Sequence, residues 1–167
     1  MRSSLDFILS GTEVRRYHTL TTLQVETVGH HSHGVAVICL LLDPRASASL
    51  LKAALYHDLA EHVTGDIPSP AKRIYGIGEQ VSSLEEGLLS LNGLSMPELT
   101  EDEQRTLKLA DIAQGALFCL REIELGNLRM RTVYDRYLSY YDGLGLQTPE
   151  EHALRKVIIT KYEGFSK

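Results

Sequence analysis

One long helix constrains this chain more than any other feature. Thr100 followed by Glu103 forms a capping box. From there apolar residues recur at helical spacing to about Gly126. Leu107, Ala110, Ile112, Ala113, Ala116, Leu117 and Leu120 make the expected buried face. A helix with so wide an apolar stripe has to lie against other elements, and the rest of the sequence offers mainly further helices.

Five prolines, at positions 44, 68, 70, 97 and 149, separate those helices. Residues 4–10 are a short amphipathic candidate. The segment 11–30 is rich in Thr and Val, which by itself favours strand, but no second alternating run exists to pair with it. It is expected to be loop with a helical turn. His31 to Leu42 is strongly apolar, and DPRAS breaks it. Ser47 caps a helix expected to run to about His62. TGDIPSP is a loop, with Gly65, Pro68 and Pro70 as breakers. Residues 71–91 suit a helix with an irregular start near GIG, and NGLSMPELT is a connection. Residues 128–142 form another helix, ended by Gly143 and Gly145. Thr148, Pro149 and Glu151 supply the N-cap, the first-turn proline and the N3 carboxylate of a last helix. The expected fold class is all-α, a single compact bundle spanning residues 1–167.

Composition narrows the function. With 43% hydrophobic residues in 167, the chain can bury one sizeable core but not two ordinary ones. Lys and Arg number 17 against 22 Asp and Glu, a net charge of −5, and the pI is near 5.8. That balance is wrong for a protein gripping nucleic-acid polymer through its phosphates, although a local basic pocket for a small phosphate fits it. Cys39 and Cys119 lie 80 residues apart in the apolar runs ICLLL and LFCLRE. They read as buried thiols in a reducing compartment, with no CxxC pair for zinc or redox work. The first 18 residues carry Asp6 and Glu13 and no long apolar stretch, so a secretory signal is not expected. The longest apolar run, Val35 to Leu42, is far too short for a bilayer. The protein is expected to be cytoplasmic, with no membrane partner.

Four places carry chemistry: GHHSH with His30, His31 and His33; YHDLAEH with His57, Asp58, Glu61 and His62; TGD with Asp66; and Asp111 in LKLADIAQG. On a continuous helix His57 and Glu61 share a face, with Asp58 about 100° round the axis. These three residues suit a cation site and a solvated helix face equally. The spacing is not the HExxH of zinc proteases. His31 and Asp111 tilt the balance, because each opens or interrupts an apolar helix. An unpaired carboxylate there is costly unless it finds a cation or a salt bridge, and Lys108 or Arg105 are the alternatives for Asp111. Two imidazoles and two carboxylates make a sound mixed set for a divalent ion.

His31, then His57-Asp58, then Asp111 matches the H…HD…D pattern of HD-domain phosphohydrolases. ETVGHHSHGVA (26–36), YHDLAEHVTGDIPSPAK (56–72) and LKLAD (107–111) resemble the bacterial 5′-deoxynucleotidases and the short phage enzymes that hydrolyse dATP. With RRYHT at 15–19 the resemblance covers roughly residues 12–130, and HDxxExxTGDxPxPxK is its most specific part. The resemblance implies that His31, His57, Asp58 and Asp111 hold a catalytic divalent metal, whether Zn, Co, Mn or Mg. It implies that Glu61 and Asp66 handle the attacking water and the leaving group. It further implies that Arg16 and Lys72 neutralise phosphate oxygens, and that Tyr17, with His18 and Thr19 beside it, meets sugar and base. Tyr17 stands where the deoxynucleotidases carry Trp, and His30 where they carry Glu.

The expected activity is metal-dependent hydrolysis of the 5′ phosphoester of 2′-deoxynucleotides, with dATP cleaved to deoxyadenosine and triphosphate. The alternatives are a 5′-deoxynucleotidase acting on monophosphates, and a non-catalytic nucleotide-binding module. A homo-oligomer is expected. If the chain is phage-encoded, the host cytoplasm is its expected location. No Walker A, dinucleotide or GxSxG pattern supports another reaction class. Of the remaining residues, His33 is expected in the core or behind the ligands, His62 at the rim or on Glu61, and His152 exposed. Tyr134, Tyr137, Tyr140 and Tyr141 read as a packing stripe. Glu122 reads as an ion-pair carboxylate or one that reaches a neighbouring subunit.

Overall fold

The computed structural model describes residues 2–163, with side chains over 3–160. The helices are α1 (Arg2–Thr12), α2 (Val28–Leu42), α3 (Ala48–Tyr56), α4 (Glu61–Thr64), α5 (Ser69–Ile74), α6 (Gly78–Leu91), α7 (Glu101–Glu124), α8 (Arg131–Gly143) and α9 (Pro149–Glu163). A short 3-10 turn, Leu128–Met130, precedes α8. Among the described residues there is no strand. A lone antiparallel bridge joins Arg15 to Thr27. None of the described helices is long and apolar enough to cross a membrane.

The helix α7 is the centre, as its apolar stripe requires. Its capping box is complete: Thr100 accepts from the Glu103 amide, and the Glu103 carboxylate accepts from the Thr100 amide. It packs against α2, α3, α8 and α9. The main core joins Val35, Ile38 and Cys39 of α2 to Leu50 and Ala54 of α3, to the buried face of α7, to Tyr134 and Tyr141 of α8, and to Ile158 of α9. Leu107 and Leu117, expected within that face, lie at its edge and are partly buried. Both cysteines are buried and free. A smaller cluster gathers Phe7 of α1, Leu59, Ala60 and Leu89 of α6.

Three boundaries differ from expectation. The second helix starts at Val28, where Thr27 caps it by accepting from the His30 amide, so His31 lies inside the first turn. The helix expected to run from Ser47 to His62 stops at Tyr56. Beyond it the amides of Leu59 and Glu61 bond carbonyls three residues back, at 3.1 Å each. No breaker marks that point. The turn is set by burial of Leu59 and Ala60, each 1% exposed, in the smaller cluster. The helix expected over 71–91 is two, with α5 already begun at Ser69 and a break at Gly76.

Candidate metal and phosphate site

Three elements bring the ligand-type residues together. The first turn of α2 carries His31, the turn after α3 carries His57 and Asp58, and α7 carries Asp111. His31 Nε2 lies 3.2 Å from His57 Nε2, 3.5 Å from Asp58 Oδ2 and 3.3 Å from Asp111 Oδ1. His57 Nε2 lies 3.4 Å from Asp58 Oδ2.

The protons can be assigned from the outer faces of the rings. His57 Nδ1 lies 2.9 Å from the Ala54 carbonyl, which can only accept, so in the neutral ring Nδ1 carries the proton and Nε2 is left as a lone pair. His31 Nδ1 lies 2.5 Å from Gln114 Oε1, and the same reasoning applies. Two ring nitrogens, bare in the neutral tautomers, and two carboxylates therefore converge on one spot. Such groups repel one another unless a cation lies among them. His31, His57 and Asp58 present ligand atoms within 4.8 Å of one another, as a metal requires. The donor set fits a divalent ion of the mixed N/O type.

The charges respond to one another. Burial acts to raise the Asp58 carboxyl, but His57, Arg16 and His31 together hold it below the usual range. Burial acts likewise on Asp111, and its close approach to His31 together with the nearby Lys108 holds it well below. Lys108 Nζ reaches Asp111 Oδ2 at 3.1 Å, so the salt bridge weighed as an alternative coexists with the turn toward His31. Arg105 instead pairs with Glu151 at 2.9 Å.

Glu61 sits at the first position of α4, 4% exposed, with Oε2 buried and unpartnered among the described residues. Burial, then repulsion from Asp58 and Asp66, pushes its carboxyl up to about 9. It is not one helical turn from His57 on a shared face, as a continuous helix would place it, because the chain turns between them. Asp66 Oδ2 accepts the Tyr17 amide at 3.0 Å. Tyr17 has φ 54°, a left-handed conformation that costs a non-glycine residue energy and is held only where surroundings demand it. Its ring stacks on Phe118 at 4.8 Å and its hydroxyl meets that of Tyr137 at 2.9 Å. Arg16 Nη1 reaches Asp58 Oδ2 at 2.5 Å. Lys72 of α5 faces Glu85 at 3.9 Å, and its charge acts on Glu61.

His18 and Thr19 lie exposed on the turn after Tyr17. His33 is exposed, against the expectation of a core position, because two residues along α2 turn it about 200° from the buried His31. His62 is exposed at the rim, edge-on to Phe7 at 5.8 Å, and His152 is exposed. Glu122 is fully buried and accepts the amides of Leu23 and Gln24 at 2.7 and 2.8 Å, with Asn127 Nδ2 at 2.8 Å. It thereby anchors the loop that carries Arg16 and Tyr17. The tyrosines of α8 divide: Tyr134 and Tyr141 are core, while Tyr137 reaches Tyr17. Sequence reasoning missed Gln114, Glu26, Glu85 and Tyr137. Only Gln114 carried a local signal, lying one helical turn from Asp111.

A mixed imidazole and carboxylate centre in a helical bundle, flanked by Arg16, Lys72 and two further carboxylates, defines the class of metal-dependent phosphohydrolases. The chain belongs to the HD domain family, which matches residues 12–105. It is 29% identical to the 5′-deoxynucleotidase of Cronobacter sakazakii, over 68% of this chain and 69% of that enzyme. It is 28% identical to the 5′-deoxynucleotidase YfbR of Salmonella arizonae, over the same shares. Among solved structures it superposes on the cyanophage S-2L HD phosphohydrolase DatZ, which was solved with dA and one catalytic Zn2+ ion. The TM-score is 0.69 at 16% identity, covering 95% of this chain and 96% of that one. It also superposes on PH0347 of Pyrococcus horikoshii, with TM-score 0.64 at 18% identity over 98% and 99% of the two chains. At those identities the two superpositions show a shared fold.

Proposed function

We propose that this protein hydrolyses the 5′ phosphoester of 2′-deoxynucleotides, with dATP yielding deoxyadenosine and triphosphate as the specific reaction. The observation that carries the reading is the convergence of two imidazole nitrogens and two carboxylates beside the buried carboxyl of Glu61. His31, His57, Asp58 and Asp111 would hold the ion, which supplies Lewis acidity and an acidified water. Arg16 and Lys72 carry the positive charge that neutralises phosphate oxygens. Asp66, steadied by the Tyr17 amide, orients the attacking water and takes its proton. As the new bond from water oxygen to phosphorus forms, the bond from phosphorus to the 5′ oxygen breaks, and Glu61 gives that oxygen its proton. Tyr17, with His18 and Thr19 after it, would meet the sugar and base.

A monophosphate substrate is the second reading, and the curated relatives named 5′-deoxynucleotidase favour it. Both reactions attack the same phosphorus and use the same residues. Incubation with Co2+ or Mn2+ and dATP, dAMP, dGTP and ATP separates them. Release of triphosphate from dATP supports the first, and orthophosphate from dAMP the second. No release from any of the four defeats both, leaving a nucleotide-binding module. The notion of a cytoplasmic homo-oligomer belongs to this reading too, and sedimentation of the purified protein tests the assembly.

A further inference from the structure

The face of His31 turned away from the converging donors is as closely engaged as the face turned toward them. Nδ1–H donates to Gln114 Oε1 at 2.5 Å. The Gln114 amide is thereby oriented, and its Nε2 donates to Glu26 Oε1 at 2.7 Å. Glu26 then meets Arg16 twice. Its backbone carbonyl accepts the Arg16 amide at 2.9 Å, and its Oε2 lies 3.5 Å from Arg16 Nε. Those last two atoms are buried and make no hydrogen bond among the described residues, so they meet as an ion pair. Arg16 Nη1 returns to Asp58 Oδ2 at 2.5 Å, and that oxygen lies 3.5 Å from His31 Nε2. The circuit is closed.

A second observation concerns the space Gln114 occupies. A Cβ at Gly34 of α2 would lie 2.8 Å from Gln114 Cγ. The amide reaches His31 only because residue 34 has no side chain. His31 and Glu26 are themselves 0% and 5% exposed, so an unanswered polar group here would be costly.

We propose that Gln114 and Glu26 are positioning residues, which fix the His31 tautomer so that Nε2 faces the ion and hold Arg16 beside Asp58 and the substrate phosphate. The proposal rests on the reading of His31 as a ligand. It assigns Gln114 the place behind a metal-binding histidine that sets ring orientation and basicity, and it ties that place to the phosphate-binding arginine through one buried carboxylate. A purely structural pair would stabilise the crossing of α2 and α7 without regard to which His31 nitrogen holds the proton.

The test begins with metal-free, 15N-labelled protein and proton–nitrogen correlation of the His31 ring at neutral pH. The wild type should show the proton on Nδ1, and Gln114→Met should lose that preference. Where Gln114→Met fails to fold, Gly34→Ala, which displaces the same side chain, should give the same change. Co2+ affinity by calorimetry should fall about 10- to 100-fold in Gln114→Met and in Gln114→Glu. The double exchange Gln114→Glu with Glu26→Gln keeps a donor facing an acceptor at each link, and it should recover most of that loss. A wild-type tautomer retained in Gln114→Met, or a double exchange no better than Gln114→Glu alone, overturns the relay. Absence of Co2+ binding by the wild type overturns the ligand reading instead, and with it the relay's purpose, while the tautomer in metal-free protein still reports whether the circuit exists.

Discussion

Arg16 Nη1 and Asp58 Oδ2 meet at 2.5 Å across 42 residues of sequence. The same carboxylate oxygen lies 3.5 and 3.4 Å from the Nε2 atoms of His31 and His57. A cation that is part of the protein thus sits beside the oxygen proposed to hold an added one. The arginine lowers the cost of an ionised Asp58.

Removing that oxygen's charge tests the metal proposal most directly. Asp58→Asn should weaken Co2+ binding by more than the roughly 100-fold typical of residues behind the ligands, and turnover should disappear with it. Wild-type protein in Co2+ at about 100 times its Kd should gain about 2.7 kcal/mol of stability, which thermal melts would show as a raised Tm. The variant should show no such rise. A variant that still gains stability from Co2+ would remove Asp58 from the ligand set.

Glu61 predicts a pH dependence. Its carboxyl rises from an ordinary value of 4.5 to about 9 on folding, through burial first and then Asp58 and Asp66. The folded chain holds a proton that the unfolded chain releases. The associated stability is full below the ordinary value and is lost as pH climbs toward the raised one. Metal-free wild type should therefore lose Tm from pH 5 to 9 relative to Glu61→Gln, which cannot ionise. The variant should be the more stable of the two at pH 8, yet slower by about 100- to 10,000-fold in turnover. Parallel melting curves for the two proteins across that range would contradict the assignment.

Gly115 of α7 leaves room for Tyr137. A Cβ there would lie 2.5 Å from Tyr137 Cζ and 2.8 Å from its hydroxyl oxygen. Gly115→Ala should cost about 1–3 kcal/mol and break the contact between the Tyr137 and Tyr17 hydroxyls. KM should rise more than kcat falls, since Tyr17 is proposed to meet sugar and base. Steady-state kinetics on the folded variant, with a urea titration alongside, decide the point.

Arg105 secures the far end of the bundle. It pairs with Glu151 through Nε and Nη2 at 3.2 and 2.9 Å, and it donates to the carbonyls of Leu144 and Gly145. Glu151 is 6% exposed and would be left with only the Gln147 and Thr148 amides and its own cap. Arg105→Ala should lower stability by about 2 kcal/mol, less than a fully buried pair because Arg105 keeps some solvent contact. Metal binding should be unchanged. A loss of metal affinity would show that the α8–α9 corner reaches the site.

The sequence by itself determined the helical class, the caps at Ser47, Thr100 and Thr148, and the candidate residues His31, His57, Asp58, Glu61, Asp66 and Asp111. Caps and apolar periodicity are written within one turn of chain, and a motif such as HDxxExxTGDxPxPxK is contiguous, so both are legible without a fold. Tertiary structure alone decided the stop of α3 at Tyr56, the outward turn of His33, and the anchoring of the Arg16 loop by Glu122. It alone joined Gln114 to residues 83 and 88 positions away. Those outcomes depend on which buried surfaces and unpaired polar groups meet once distant segments pack, and no local spacing encodes that meeting.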